Sequence, residues 1–395
     1  MFISILGRQP ELSLAELEML FGDEKITKLS DQVALVDTPV PDIDKLGGAV
    51  KIIDDVRQLK VNQLPDALDE VSSFLISHLD SSPKGKVSVG LSIYGEKSAS
   101  AKSIQSFLIK SKKSLRSDGY SVRVVPNKNT ELGSAQVLHN KLTSGRNIEI
   151  VLIKALSGYW LGRTSGIQNI EALARRDQAR PKRDTRVGML PPKLALIMLN
   201  LAGAQSPTSL SESDIPRTVL DPFCGTGVVL QEALLLGLNT YGSDVEQRMV
   251  EYSETNLDWI KNKLDLTGSQ RLEQGDATKH AWKKPFDLVV CETYLGPPMS
   301  QIPSLNALDK IVSDIDYLLK SFLKNIADQL TTGAKLCVAV PAWRINGETR
   351  HLPMVDDLEN LGYTRQVLKY ATNAEMVYFR LDQTVARELL VLERK

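Results

Sequence analysis

Residues 218–237 read TVLDPFCGTGVVLQEALLLG, and this stretch decides the fold. The apolar residues that lead to Asp221 are typical of a buried strand. Gly225 and Gly227 lie in the short loop that follows, and the next apolar run predicts a helix that ends at Gly237. A strand, a glycine-bearing loop and a helix in direct succession are typical of an open parallel sheet, where ligands bind beyond the carboxyl ends of the strands.

The same alternation continues to the end of the chain. Helical stretches separate five further predicted strands, which are NTYGSDV (239–245), RLEQGDAT (271–278), FDLVVCETYLGPP (286–298), AKLCVAVPAW (334–343) and RELLVLERK (387–395). Alternating strands and helices predict an α/β fold, a mostly parallel Rossmann-like sheet with helices on both faces.

The rest of the chain predicts smaller α/β units. Strands are expected at FISILG (2–7) and VALVD (33–37), and a helix is expected to begin within IDKLGGAVKII (43–53). The segment that follows predicts the order strand, helix, strand, helix, strand, strand. We therefore divide the chain into a small N-terminal domain, a second α/β domain, a basic linker and the large sheet domain, over residues 1–55, 56–165, 166–186 and 187–395.

Composition excludes several classes of protein. The chain is 42% hydrophobic with a net charge of zero, which argues against intrinsic disorder. No stretch approaches the ~20 apolar residues of a membrane span, and the N-terminus does not resemble a signal peptide. Three cysteines, far apart, and four histidines without metal-ligand spacing argue against a disulfide framework or a metal site. A reducing cytoplasmic location is the expectation.

Charge is distributed unevenly. Residues 97–193 hold 19 Lys and Arg against 6 Asp and Glu, an asymmetry that indicates a partner with many negative charges. The densest run is RRDQARPKRDTR, for which a solvated linker is the alternative interpretation. As contacts to a nucleic acid we predict Arg175, Arg176, Arg180, Lys182, Arg183 and Arg186.

Three acids at consecutive strand ends suggest one ligand. Asp221 would repel a diphosphate but suits a cofactor with a cationic end, such as the amino group and sulfonium of S-adenosylmethionine. Asp244 can accept hydrogen bonds from ribose hydroxyls, and Asp276 can accept one from the adenine amino group. The predicted cofactor residues are Asp221, Pro222, Phe223, Gly225, Thr226, Gly227, Asp244, Val245, Asp276 and Ala277.

The string DPFCGTG, together with GSD and GDAT, resembles the class I S-adenosylmethionine-dependent methyltransferases that modify exocyclic amino groups. RDQARPKRDTRVGMLPPKLALIMLNLA (176–202) resembles the segment that precedes the catalytic domain in the tRNA guanine-10 N2-methyltransferase family. That resemblance implies a THUMP-like RNA-binding domain over 56–165. It also implies tRNA as partner and leaves room for a small activating subunit; otherwise a monomer is expected.

The catalytic tip departs from that family, which has Asp/Asn-Pro-Pro-Tyr/Phe after the fourth strand. Here the residues are Glu292-Thr293-Tyr294-Leu295-Gly296-Pro297-Pro298. Glu292 is the predicted acceptor for the amino group and Tyr294 the predicted stacking ring. Three interpretations remain open: an active variant tip, a different amino-group target, and a binding protein without chemistry.

The sequence therefore predicts a tRNA methyltransferase acting on the exocyclic N2 of a guanosine. A DNA or other RNA amino-methyltransferase and a non-catalytic RNA-binding protein are the alternatives.

Overall fold

The computed structural model describes residues 1–81, 85–184, 189–205, 216–283, 285–299, 301–345, 347–380 and 383–395, so Arg186 lies outside the described residues. Within these ranges no helix has the length and apolar character needed to cross a membrane. The chain divides into two compact units, residues 1–10, 24–45 and 49–171 in one and residues 11–23, 46–48 and 172–395 in the other.

The first unit is built on an eight-stranded sheet. In chain order, the elements of this part of the sequence are β1 (Phe2–Leu6), α1 (Pro10–Phe21), β2 (Ile26–Ser30), β3 (Val33–Val36), β4 (Ala49–Gln58), α2 (Leu64–Asp80), β5 (Lys86–Tyr94), α3 (Ala101–Ser117), β6 (Ser121–Val124), α4 (Ser134–His139), β7 (Ile148–Ala155) and β8 (Gly158–Ile167). Most of α1 belongs to the second unit. The strand order is β2-β3-β1-β4-β8-β7-β5-β6, with β5 parallel to both β6 and β7.

The predicted helix within residues 43–53 is wrong. A single 3-10 turn at Ile43–Lys45 is followed by β4, which runs between two antiparallel partners and pairs Ile53 with Ile3 of β1 and with Thr164 of β8. Ile52 and Ile53 are both fully buried. Two adjacent buried β-branched residues fit a central strand with both faces covered, and long-range pairing overrides the local helical pattern.

β4 also runs across residue 55, so strands from the 1–55 and 56–165 segments share one sheet. The four-segment division and the THUMP-like assignment remain predictions.

The second unit holds a nine-stranded sheet. Its elements are α5 (Ile170–Gln178), α6 (Pro192–Leu201), β9 (Thr218–Asp221), α7 (Val228–Leu235), β10 (Asn239–Asp244), α8 (Gln247–Leu264), β11 (Gln270–Gln274), β12 (Leu288–Glu292), α9 (Leu305–Ala327), β13 (Lys335–Ile345), β14 (Glu348–Arg350), β15 (Tyr363–Arg365), β16 (Val377–Tyr378) and β17 (Val385–Arg394). The order β11-β10-β9-β12-β13-β17-β15 is parallel as far as β13, while β17 is antiparallel to its neighbours. The predicted Rossmann-like sheet is confirmed.

Both faces of this sheet are covered by helices. Val289 of β12 packs on one face with α9, whose Phe322 is fully buried. The next residue, Val290, packs on the other face with α6 and α7, through Met198 and Val229. This alternation explains the continuous apolar run of β12, since a parallel strand is buried on both sides. Because β9, β10 and β12 are parallel, their carboxyl ends lie at one edge of the sheet.

The three cysteines are free thiols buried in this packing. Cys291 lies with the α9 side of the core and Cys337 with the α6 side. These two side chains fill the core on either side of the sheet.

Candidate active site

A cavity of about 1250 Å³ opens at the carboxyl ends of the parallel strands. It is lined by both predicted catalytic residues and by nine of the ten predicted cofactor residues. Gly227 is the exception. Its φ of +82° and the 3.0 Å between an added Cβ and Ser253 Oγ show that it permits the left-handed start of α7 beside α8.

Asp221 ends β9 and is buried beneath the cavity. Its Oδ1 accepts a hydrogen bond from the backbone N–H of Phe223 at 3.1 Å. Burial raises the pKa of Asp221 well above its usual value, and the nearby charges of Asp244 and Glu292 raise it further. Among the described residues no Lys or Arg pairs with it, so a bound cation would supply the missing counter-charge.

The loop after β9 is fixed by short backbone contacts. The N–H of Gly225, at φ +50°, donates to Oδ2 of Asp244 at 3.0 Å. The N–H of Cys224 donates to the carbonyl of Ser243 at 2.9 Å, and the Phe223 ring packs edge-on against Phe322 at 4.9 Å. The loop therefore presents its backbone to the cavity in one defined conformation.

The pKa values of the next two acids shift in opposite directions. Burial raises the pKa of Asp244, while hydrogen bonds from Thr278 lower the pKa of Asp276 below its usual range. Asp276 Oδ1 accepts from the Thr278 N–H at 3.0 Å and from its hydroxyl at 2.7 Å. Between these acids Val245 is 63% exposed and lines the cavity. An exposed apolar side chain flanked by two acceptors suits a flat ring bearing polar edges.

Glu292 ends β12 at the catalytic tip. Burial raises its pKa, and Arg387 of β17 partly offsets this by donating a hydrogen bond from Nε to Glu292 Oε1. Thr293 is anchored to β13, since its hydroxyl donates to the Ala339 carbonyl at 3.0 Å. Tyr294 is 47% exposed at the cavity wall, and Gly296 turns the chain at φ +91°.

The basic run is divided between surface and interior. Arg175, Lys182 and Arg183 are exposed. Arg176 instead pairs with Glu232 at 2.9 Å, and the guanidinium of Arg180 is fully buried.

Arg180 Nη1 donates to the hydroxyl of Thr226 at 3.2 Å, in the loop between β9 and α7. These two arginines therefore pack within the second unit, in contrast to the surface role predicted for them.

Among the cavity residues that were not predicted from the sequence, two bear directly on the chemistry of the site. Tyr317 of α9 is 77% exposed and lines the cavity. Arg387 lies 95 positions after its partner Glu292. The strand prediction for 387–395 gave no sign that its first residue faces a site, because only the pairing of β17 with β13 brings it there.

The fold and the site define a class I methyltransferase, the class whose Rossmann-like sheet binds S-adenosylmethionine. Residues 180–342 match the UPF0020 family, described as the RMKL-like methyltransferase domain. That segment is a methyltransferase domain of this kind, with S-adenosylmethionine as its cofactor.

Three relatives illustrate the match. The chain is 29% identical over 220 residues to the tRNA (guanine(10)-N2)-dimethyltransferase of Methanothermobacter thermautotrophicus, covering 55% of this chain and 54% of that one. It is 31% identical over 156 residues to the enzyme of the same name from Pyrococcus abyssi, covering 39% of each. It thus spans about half the length, or less, of these curated relatives. In fold it is similar to the crystal structure of TrmN from Thermus thermophilus, with TM-score 0.53, 16% identity, and 100% and 99% of the chains covered.

Proposed function

We propose that the protein transfers a methyl group from S-adenosylmethionine to the exocyclic N2 of a guanosine in tRNA. The observation that carries this proposal is the cavity at the ends of β9, β10 and β12, which joins the three acids of the cofactor side to the Glu292 tip. The names of the curated relatives support guanosine in tRNA as the target.

The residues present fit the cofactor. Asp221 is a buried carboxylate without a cationic partner among the described residues, and it would face the amino group. Asp244 would accept hydrogen bonds from the ribose hydroxyls and Asp276 from the adenine amino group, while Val245 would cover the ring. The bound cofactor supplies an electrophilic methyl group on a sulfonium.

At the tip, this chain's residues prepare the nucleophile. The lone pair of the guanine amino group is delocalised into the ring, so the nitrogen attacks poorly. Glu292 would accept one N–H bond of that group, which localises the lone pair on nitrogen, and would take the proton as the new N–C bond forms. Tyr294 would hold the base by stacking after it leaves the RNA stack. Positioning of the nitrogen in line with the methyl group is the main contribution of the site.

RNA would be held largely through phosphates. We propose that the exposed cations of the basic run, Arg175, Lys182 and Arg183, contribute to this, with residues 56–165 as a THUMP-like RNA-binding domain. With this role we propose a cytoplasmic location.

The decisive experiment is transfer of labelled methyl groups to unmodified tRNA transcripts, followed by nucleoside analysis. N2-methylated guanosine, in its one- or two-methyl form, is the expected product. A methylated adenosine would refute the guanosine target. Methyl transfer to duplex DNA in preference to tRNA would favour the DNA enzyme. Binding of cofactor and tRNA without transfer would favour the non-catalytic alternative.

A further inference from the structure

Arg387 lies at the wall of the catalytic tip in a buried position. In β17 it pairs with Pro341 of β13, and β13 in turn pairs Ala339 with Glu292 of β12. Its side chain is only 2% exposed, and that of Glu292 is 15% exposed. Both residues line the cavity. The tip therefore presents a carboxylate and a guanidinium side by side.

The hydrogen-bonding capacity of this guanidinium is only partly used. Nε donates to Glu292, and Nη1 donates to Oε1 of Gln383 at 3.3 Å. Within the described part of the chain, Nη2 of Arg387 has no hydrogen-bond acceptor. Because Arg387 lines the cavity, an acceptor on a ligand at this wall would complete the hydrogen bonding of Nη2.

Other buried Arg–Glu pairs in the unit do not share this placement. Arg365 pairs with Glu388 at 3.0 Å, and Arg176 pairs with Glu232 at 2.9 Å. None of these four residues lines the cavity. Glu388 adjoins Arg387 on β17, so successive side chains of the strand point to opposite faces. Arg365–Glu388, in which Glu388 also contacts His351, is thus a matched pair that does not face the cavity.

We infer that Glu292 and Arg387 together select guanine at the target position, an assignment that rests on the proposed function. The carboxylate would accept the N1–H and one N2–H of the base, and the guanidinium would donate to O6. Adenine presents an unprotonated N1 to the carboxylate and an amino group to the guanidinium, so both contacts fail. The planar arginine fork matches a base oxygen in a way that a lysine ammonium does not. Arg387 is therefore a specificity-determining residue.

The test compares guanosine with 6-thioguanosine at the methylated position of a tRNA transcript. The thio base keeps both N–H donors but replaces O6 with a weaker acceptor. We expect the wild type to prefer guanosine roughly tenfold in kcat/KM, about 1.4 kcal/mol. Arg387→Lys keeps a positive charge beside Glu292. It should lower kcat/KM for guanosine alone, so that the kcat/KM values for the two substrates lie within about twofold of each other.

Controls separate specificity from folding. Arg365→Lys alters the matched pair and should keep the wild-type preference. Thermal melting and S-adenosylmethionine affinity show whether each variant is folded. If Arg387→Lys does not fold, Gln383→Ala replaces it in the test. This change removes the acceptor of Arg387 Nη1 and should reduce the preference for guanosine over 6-thioguanosine several-fold.

Two results overturn the inference. One is a wild type that methylates both substrates equally, and the other is a variant that loses rate on both by the same factor. Failure of the proposed function looks different, because the wild type then yields no N2-methylguanosine from any transcript, and the inference falls with it.

Discussion

The backbone N–H of Gly225 donates to Oδ2 of Asp244 at 3.0 Å, so the loop after β9 and the acid that ends β10 hold each other in place. Oδ1 of the same carboxylate accepts from the N–H of Glu246 at 3.0 Å. Asp244 also lines the cavity, and a carboxylate can accept further hydrogen bonds there. One side chain thus fixes the glycine loop and remains able to bind a diol.

Replacing Asp244 with Asn should weaken S-adenosylmethionine binding. The change removes the charge from hydrogen bonds worth about 1.5–3 kcal/mol each, so the Kd should rise roughly 10–100-fold by titration calorimetry. Asp258→Asn on the exposed side of α8 is the control and should leave the Kd unchanged. An Asp244→Asn variant that binds as tightly as the wild type would contradict the ribose assignment.

Cofactor affinity should rise with pH. Burial raises the pKa of Asp221, so at a given pH the free protein holds more of the neutral carboxyl than an ordinary Asp would. The tighter proton binding by Asp221 stabilises the folded protein. This stabilisation is complete below the pKa that Asp221 has in the unfolded chain, and it is lost as pH rises through its pKa in the folded protein. The cationic amino group binds the ionised form, so the Kd for S-adenosylmethionine should fall with increasing pH. Asp221→Asn should bind S-adenosylmethionine weakly at every pH. If the Kd of this variant still falls with increasing pH, Asp221 is not the source of the pH dependence.

Glu292→Gln should remove chemistry while leaving the cofactor bound. Loss of a positioned proton acceptor typically costs 10²–10⁴-fold in rate, so kcat should fall by about that factor in single-turnover assays. Glu388→Gln, in the matched pair, should change thermal stability more than kcat. If Glu292→Gln keeps its rate, the proton acceptor is another group.

Tyr317 should contribute to RNA binding through its exposed ring. Stacking of an aromatic side chain on a base is worth about 1–3 kcal/mol, so Tyr317→Ala should raise the KM for tRNA roughly 10–100-fold. Because the side chain is 77% exposed, the melting temperature should not change. Tyr317→Phe keeps the ring and should retain the wild-type KM. Equal losses in both variants would point to the hydroxyl instead.

The exposed and buried cations of the basic run should differ in their effects. Neutralising Lys182 and Arg183 should reduce the log–log salt slope of tRNA binding by about 0.7–0.9 per lost phosphate contact, without altering stability. Arg180→Met should instead lower the melting temperature, because its guanidinium is buried against Thr226. A salt slope that is insensitive to Lys182 and Arg183 would place the RNA elsewhere.

Local pattern was sufficient for much of this protein. The stretch 218–237 predicted β9, its glycine loop and α7, because apolar runs, a glycine turn and a helix start depend on neighbouring residues. The acids Asp221, Asp244 and Asp276 could be placed at strand ends for the same reason. Their convergence followed from the rule that parallel strands end at one edge.

Tertiary structure decided the features that depend on distant residues. β4 is a strand because β1 and β8 flank it, although residues 43–53 suggest a helix when taken alone. Arg180 is buried against Thr226. Because this partner lies 46 residues away along the chain, the local sequence does not indicate the burial. The sequence by itself determined the class of fold, and it predicted Asp221, Asp244, Asp276 and Glu292 as site residues, all of which line one cavity. Only the antiparallel return of β17 set Arg387 against Glu292, because a contact across 95 residues leaves no local pattern.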